Sequence, residues 1–140
     1  FNAESEWEAV TPLSKHDGAK IAILALGATA GIAQHAAEQL GGTADVYVVN
    51  GLPLPDGFLD GIFGQYDGVV TVEDGIIGTR CTGVRGFAGL VLSAASNSGT
   101  KTEHIGIVDP RIAPSEGHAE VWAHFGLTSG GIIDAARSLT

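Results

Sequence analysis

Three short and nearly uninterrupted apolar runs constrain the fold of this 140-residue chain more than any other feature. They are Ile21-Ala22-Ile23-Leu24-Ala25-Leu26, Val46-Tyr47-Val48-Val49 and Val69-Val70-Thr71-Val72. Each is too short for a stable helix, is rich in branched side chains and lacks polar alternation, as expected of strands covered on both faces. A fourth strand is expected over 104–108. The intervening segments change to helical spacing. Residues 29–40 place Ile32, Ala36 and Leu40 on one face, and Gly41-Gly42 stops the helix. Residues 86–97 form a second long helix with Phe87, Leu90, Val91 and Ala94 inward. A shorter helix carries Phe58, Leu59, Ile62 and Phe63, with Asp56 as its expected cap. Residues 119–125 form another short helix. The last helix starts at the N-cap Thr128, turns Ile132, Ile133, Ala136 and Leu139 to the core, and puts Arg137 in its final turn, where a cation complements the helix dipole. Strand and helix alternate, which predicts a three-layer α/β/α sandwich with a mainly parallel sheet.

The third strand ends in Glu73, Asp74 and Gly75, and a glycine-rich run, Ile76-Ile77-Gly78-Thr79-Arg80-Cys81-Thr82-Gly83-Val84-Arg85-Gly86, follows. Acidic groups are thereby delivered to the carboxyl edge of the sheet, where open α/β folds take ligands. Glu73, Asp74, Arg80, Arg85 and His118 are the candidate crevice or interface residues. Two readings of the carboxylates stand side by side. In one they contact a ligand or a partner domain; in the other they accept nearby backbone N–H groups or pair with Arg80 or Arg85.

No catalytic, cofactor-binding or metal-binding set emerges from the motifs. The glycine-rich run has no Lys-Ser/Thr pair and is not a P-loop, and Gly27-Ala28-Thr29-Ala30-Gly31 is not a dinucleotide fingerprint. His118 and His124 lack the spacing of a zinc-protease helix. Ser115 lacks a nucleophile-elbow context. Cys81, the lone cysteine, can form no intrachain disulfide.

Sixteen acidic against seven basic residues give a net charge of −9. That excess argues against nucleic acid and against an anionic membrane surface as partners. No apolar run approaches the roughly 20 residues of a spanning helix. A reducing, cytoplasmic setting is expected. Residues 1–18 read as a linker or the remnant of a preceding domain, and 19–140 as the folded domain. The chain starts at Phe1 and has no methionine, which suggests a piece cut from a longer polypeptide.

Four stretches resemble, in order, the C-terminal domain of transketolase-like thiamine diphosphate enzymes. They are AKIAILALGATA (19–30), DVYVVNGLPLPD (45–56), YDGVVTVEDGIIG (66–78) and HIGIVDPRIAPSEGHAEVWAHFGLT (104–128). The family includes transketolase, 1-deoxyxylulose-5-phosphate synthase and the beta subunits of 2-oxoacid dehydrogenases. The resemblance implies a five-stranded mixed sheet with one antiparallel strand, one more strand than the residues themselves reveal. It also implies a structural and dimerisation domain, catalytically incomplete alone, that binds no cofactor itself. Thiamine diphosphate and magnesium belong to the full-length enzyme, and the partners are its other domains or subunits, in a homodimer. The alternative is a stand-alone α/β module that recognises a small anion or a protein.

Overall fold

The computed structural model describes residues 10–51, 54–76, 86–96, 98–107 and 128–139. Five strands form one sheet in the order β1-β3-β2-β4-β5: β1 (Val10–Ser14), β2 (Ile21–Leu26), β3 (Ala44–Val49), β4 (Gly68–Ile76) and β5 (Lys101–Ile107). β2, β3, β4 and β5 run parallel, and β1 lies antiparallel on β3 at one edge. The described helices are α1 (Ala30–Gln39), α2 (Phe58–Gln65), α3 (Gly86–Ala95) and α4 (Ser129–Ser138). This is the expected mixed, mainly parallel α/β architecture.

Side-chain alternation along the strands splits the core into two layers. Ile21, Ile23 and Ala25 join Val46, Val70 and Val72 beneath α1 and α4, which contribute Ala33, Ala36, Ala37, Ile132, Ile133, Ala136 and Leu139. Ala22 and Leu24 join Tyr47, Val49 and Val69 on the other face, beneath Ile62 of α2 and Phe87 and Val91 of α3. The small residues of α1 let that helix lie close to the sheet. Gly68 serves the same end at the start of β4. A Cβ there would come within 3.0 Å of Ile21 Cδ1 and Leu139 Cβ.

Several boundaries differ from the sequence expectation. The segment read as linker contributes β1, the missing antiparallel strand. Its Pro12 lies opposite Tyr47, and the register with β3 shifts between Pro12 and Ser14. β3 begins earlier, at Ala44, and β5 at Lys101. β4 does not stop at Val72 but carries Glu73 and Asp74 within the strand. The N-cap of α2 is Gly57, in the left-handed region at φ 77°, rather than Asp56. Glycine takes that conformation without steric cost. Leu90 is 45% exposed instead of inward, and Ala88 and Ala95 are the buried positions of α3 beside Phe87 and Val91. The core side of α4 matches expectation at all four positions, and Thr128 Oγ1 accepts the Gly131 N–H at 3.1 Å as N-cap. The expected helix over 119–125 lies outside the described residues.

Candidate functional site

The chain order creates a switch point between β2 and β4. β2 leaves the sheet through α1 on one face, and β4 through α3 on the other, although the two strands are parallel neighbours. Connections that diverge in this way open a crevice outside the carboxyl ends of the strands.

Among the described residues, Thr29 and Glu73 hold this edge together. Thr29, fully buried, closes a 3-10 turn (Gly27–Thr29) after β2. Its hydroxyl lies 2.8 Å from the Leu26 carbonyl and 3.1 Å from the Val72 carbonyl, tying the end of β2 to β4. Glu73 is only 4% exposed. Its Oε1 accepts the Ala88 N–H at 2.9 Å and its Oε2 the Phe87 N–H at 3.3 Å. These amides belong to the first turn of α3, which has no intrahelical acceptor for them. The carboxylate also complements the positive end of the helix dipole. The Phe87 and Ala88 contacts are backbone N–H bonds of the kind the second reading of Glu73 includes. The backbone of Asp74 continues β4; Arg80, Arg85, His118 and Cys81 lie outside the described residues.

A second polar cluster, at the amino side of the sheet, gave no motif in the sequence. Asp45, 1% exposed, sits near the start of β3. Its Oδ1 accepts the His16 backbone N–H at 2.6 Å and lies 3.3 Å from His16 Nδ1. The Tyr66 hydroxyl donates to its Oδ2 at 2.5 Å. With the Tyr66 proton so committed, the Tyr47 hydroxyl donates to the Tyr66 oxygen across 2.7 Å. Tyr47 packs edge-on against Tyr66 and Phe58, and Lys15 Nζ stands 5.6 Å from its ring centroid. Burial, then the Asp45 hydrogen bond, then Tyr47 push the Tyr66 hydroxyl far above the ordinary tyrosine value. Buried polar groups are retained where they are satisfied, and this cluster is.

The described histidines are dispersed. His104 is bonded through Nδ1 to Thr71 Oγ1 at 2.7 Å and through Nε2 to Thr102 Oγ1 at 3.0 Å. His35 bonds the exposed Gln39 at 2.9 Å. Among the described residues, no group of three or more His, Cys, Asp or Glu side chains could hold a metal ion. No helix among them is long and apolar enough to cross a membrane. A cavity of about 280 Å³ lies where α1 and α4 end, lined by Gln39, Leu40, Thr43, Ala136 and Arg137. It holds no nucleophile–base pair and sits far along the sheet from the switch point.

The sequence matches no protein-family description and no curated protein. Solved structures do share the fold. A split-gene transketolase, described as an inactive beta4 tetramer, superposes with a TM-score of 0.71 at 23% identity, over 93% of this chain and 40% of that one. Transketolase from Leishmania mexicana gives 0.67 at 18% identity, over 97% of this chain and 18% of that one. A mutant transketolase from Pichia stipitis gives 0.65 at 17% identity, again over 97% and 18%. The chain therefore spans less than half the length of these transketolases.

Proposed function

We propose that this chain is the C-terminal domain of a transketolase-like, thiamine diphosphate-dependent enzyme, a support and association module that is catalytically incomplete alone. The observation that carries the reading is the asymmetry of the structural matches. Nearly all of this chain superposes on a minor part of a transketolase. The parent reaction is the transfer of a two-carbon ketol unit; the neighbours favour it over 1-deoxyxylulose-5-phosphate synthesis or a 2-oxoacid dehydrogenase, because their names are those of transketolases. Thiamine diphosphate and magnesium supply the carbanion chemistry in the full enzyme. The switch-point residues, Thr29 and Glu73, are engaged in holding β2, β4 and α3 together, which suits a scaffold.

Association is the second part of the proposal. The split-gene transketolase of the same fold is named as a tetramer. In the present chain α3, of sequence GFAGLVLSAA, carries no charged residue and leaves Leu90 exposed. The alternative of a small-anion module finds less support, because Glu73 already holds the N-terminus of α3. A cytoplasmic setting goes with the enzyme reading.

Calorimetric titration of the isolated chain with thiamine diphosphate and Mg²⁺ tests the first part. The expected result is no heat of binding. Tight stoichiometric binding would overturn it. Sedimentation of the chain beside its Leu90→Lys variant tests the second, with weaker self-association expected for the variant.

A further inference from the structure

The carboxyl end of β3 passes directly into Asn50 and Gly51, the sole Asn-Gly pair in the chain. Asparagine is among the thermally labile residues, because its side-chain amide carbon can close a five-membered ring with the next backbone nitrogen. A glycine in the next position carries no side chain to hinder that nitrogen, and its backbone turns freely toward the amide. Both residues are exposed. We propose that Asn50 is a site of self-modification: it deamidates through attack by the Gly51 nitrogen, at a rate restrained by its bond to Thr11. This chemistry is independent of the transketolase-like reading.

The Gly51 nitrogen gives up its proton to base and forms a bond to Asn50 Cγ. The Cγ–Nδ2 bond breaks, ammonia leaves, and a succinimide ring closes. Water then opens the ring at either carbonyl. One product is an aspartate; the other is an isoaspartate, whose main chain runs on through Cγ and is one carbon longer. Ammonia leaves and water enters, and nothing is oxidised or reduced. In the folded chain Asn50 Nδ2 donates to Thr11 Oγ1 across 3.2 Å, from the end of β3 to the edge strand β1. A held carboxamide reaches the geometry of attack less often than a loose one, so Thr11 acts as a brake. Either product adds a negative charge to a chain already at −9. The charge falls at the carboxyl edge of the parallel strands, the edge on which the switch-point crevice opens.

The test is peptide mapping by mass spectrometry after incubating the intact, folded chain in mildly alkaline buffer, beside the same chain unfolded in urea. The peptide holding Asn50 is expected to gain one mass unit and to divide into aspartate and isoaspartate forms. Peptides holding Asn2-Ala3 and Asn97-Ser98 are expected to lag behind it. Gly51 has no positive φ, and a Cβ added there meets nothing within 4 Å, so Gly51→Ala is expected to fold as wild type and to lose most of the mass gain. Thr11→Val keeps the branched shape without the hydroxyl. It is expected to react faster than wild type when folded and at the same rate when unfolded. The proposal is overturned if the folded wild type shows no gain at Asn50, whatever the unfolded chain does. It is also overturned if Gly51→Ala reacts as quickly as wild type. A folded Thr11→Val chain that reacts no faster overturns the restraint given to Thr11.

Discussion

The Tyr66 hydroxyl, carried by the residue that follows α2, donates at 2.5 Å to Asp45, a carboxylate buried near the start of β3. This bond joins two elements 21 residues apart and satisfies one oxygen of a side chain that has almost no contact with water. The backbone N–H of His16, in the β1–β2 turn, satisfies the other. Asp45 thus fastens the edge strand and its turn to the interior.

Tyr66→Phe removes that donor and leaves a buried carboxylate oxygen and the Tyr47 hydroxyl short of a partner. The expected loss is about 1–3 kcal/mol, the cost of unsatisfied buried polar groups. Urea unfolding of the variant beside wild type measures it, with the midpoint lowered and the m-value unchanged.

The same phenol sets an alkaline limit on stability. Its folded value lies far above the ordinary 10.0, chiefly because of burial. Above pH 10 the unfolded chain releases the Tyr66 proton and the folded chain keeps it, so the native state binds more protons. Stability from this group is complete below the unfolded tyrosine value. It declines as pH rises beyond it, by about 1.4 kcal/mol per pH unit until the folded value is reached. Urea midpoints taken on either side of that value should fall more steeply for wild type than for Tyr66→Phe.

Gly68→Ala forces a methyl within 3.0 Å of Ile21 Cδ1 and of Leu139 Cβ. The isoleucine tip can move; the Leu139 Cβ is fixed to the chain just after α4. Overpacking of this kind costs about 1–3 kcal/mol. Thermal unfolding should show it, with hydrogen exchange rising first in α4.

Thr29→Val keeps the shape of a fully buried side chain and deletes the hydroxyl that meets the Leu26 and Val72 carbonyls. A loss of about 1–3 kcal/mol is expected. Thr29→Ser, which retains the oxygen, should recover part of it in the same urea assay.

The parallel strands were legible because burial on both faces leaves nearly continuous apolar runs. β1 was not, since Val10-Thr11-Pro12-Leu13-Ser14 has turn-like composition. Proline is tolerated there because the strand lies at the sheet edge. Helix faces were read well where apolar residues were sparse, as in α4. They were read poorly in α3, where nearly every position is apolar or small and periodicity cannot tell Leu90 from Ala88. For Glu73 the two chemical roles were foreseeable, but the amides it meets belong to a helix 14 and 15 residues further along. Asp45 carried no signal, because its partners His16 and Tyr66 stand 29 and 21 positions off.

Pro12 and the register slip beside it have a consequence for how copies of the chain meet. An edge strand normally offers a row of free amides and carbonyls on which a foreign strand can grow. β1 carries a proline, which offers no amide, and its register against β3 slips within five residues. The β1 margin is therefore a poor template for strand-by-strand polymerisation.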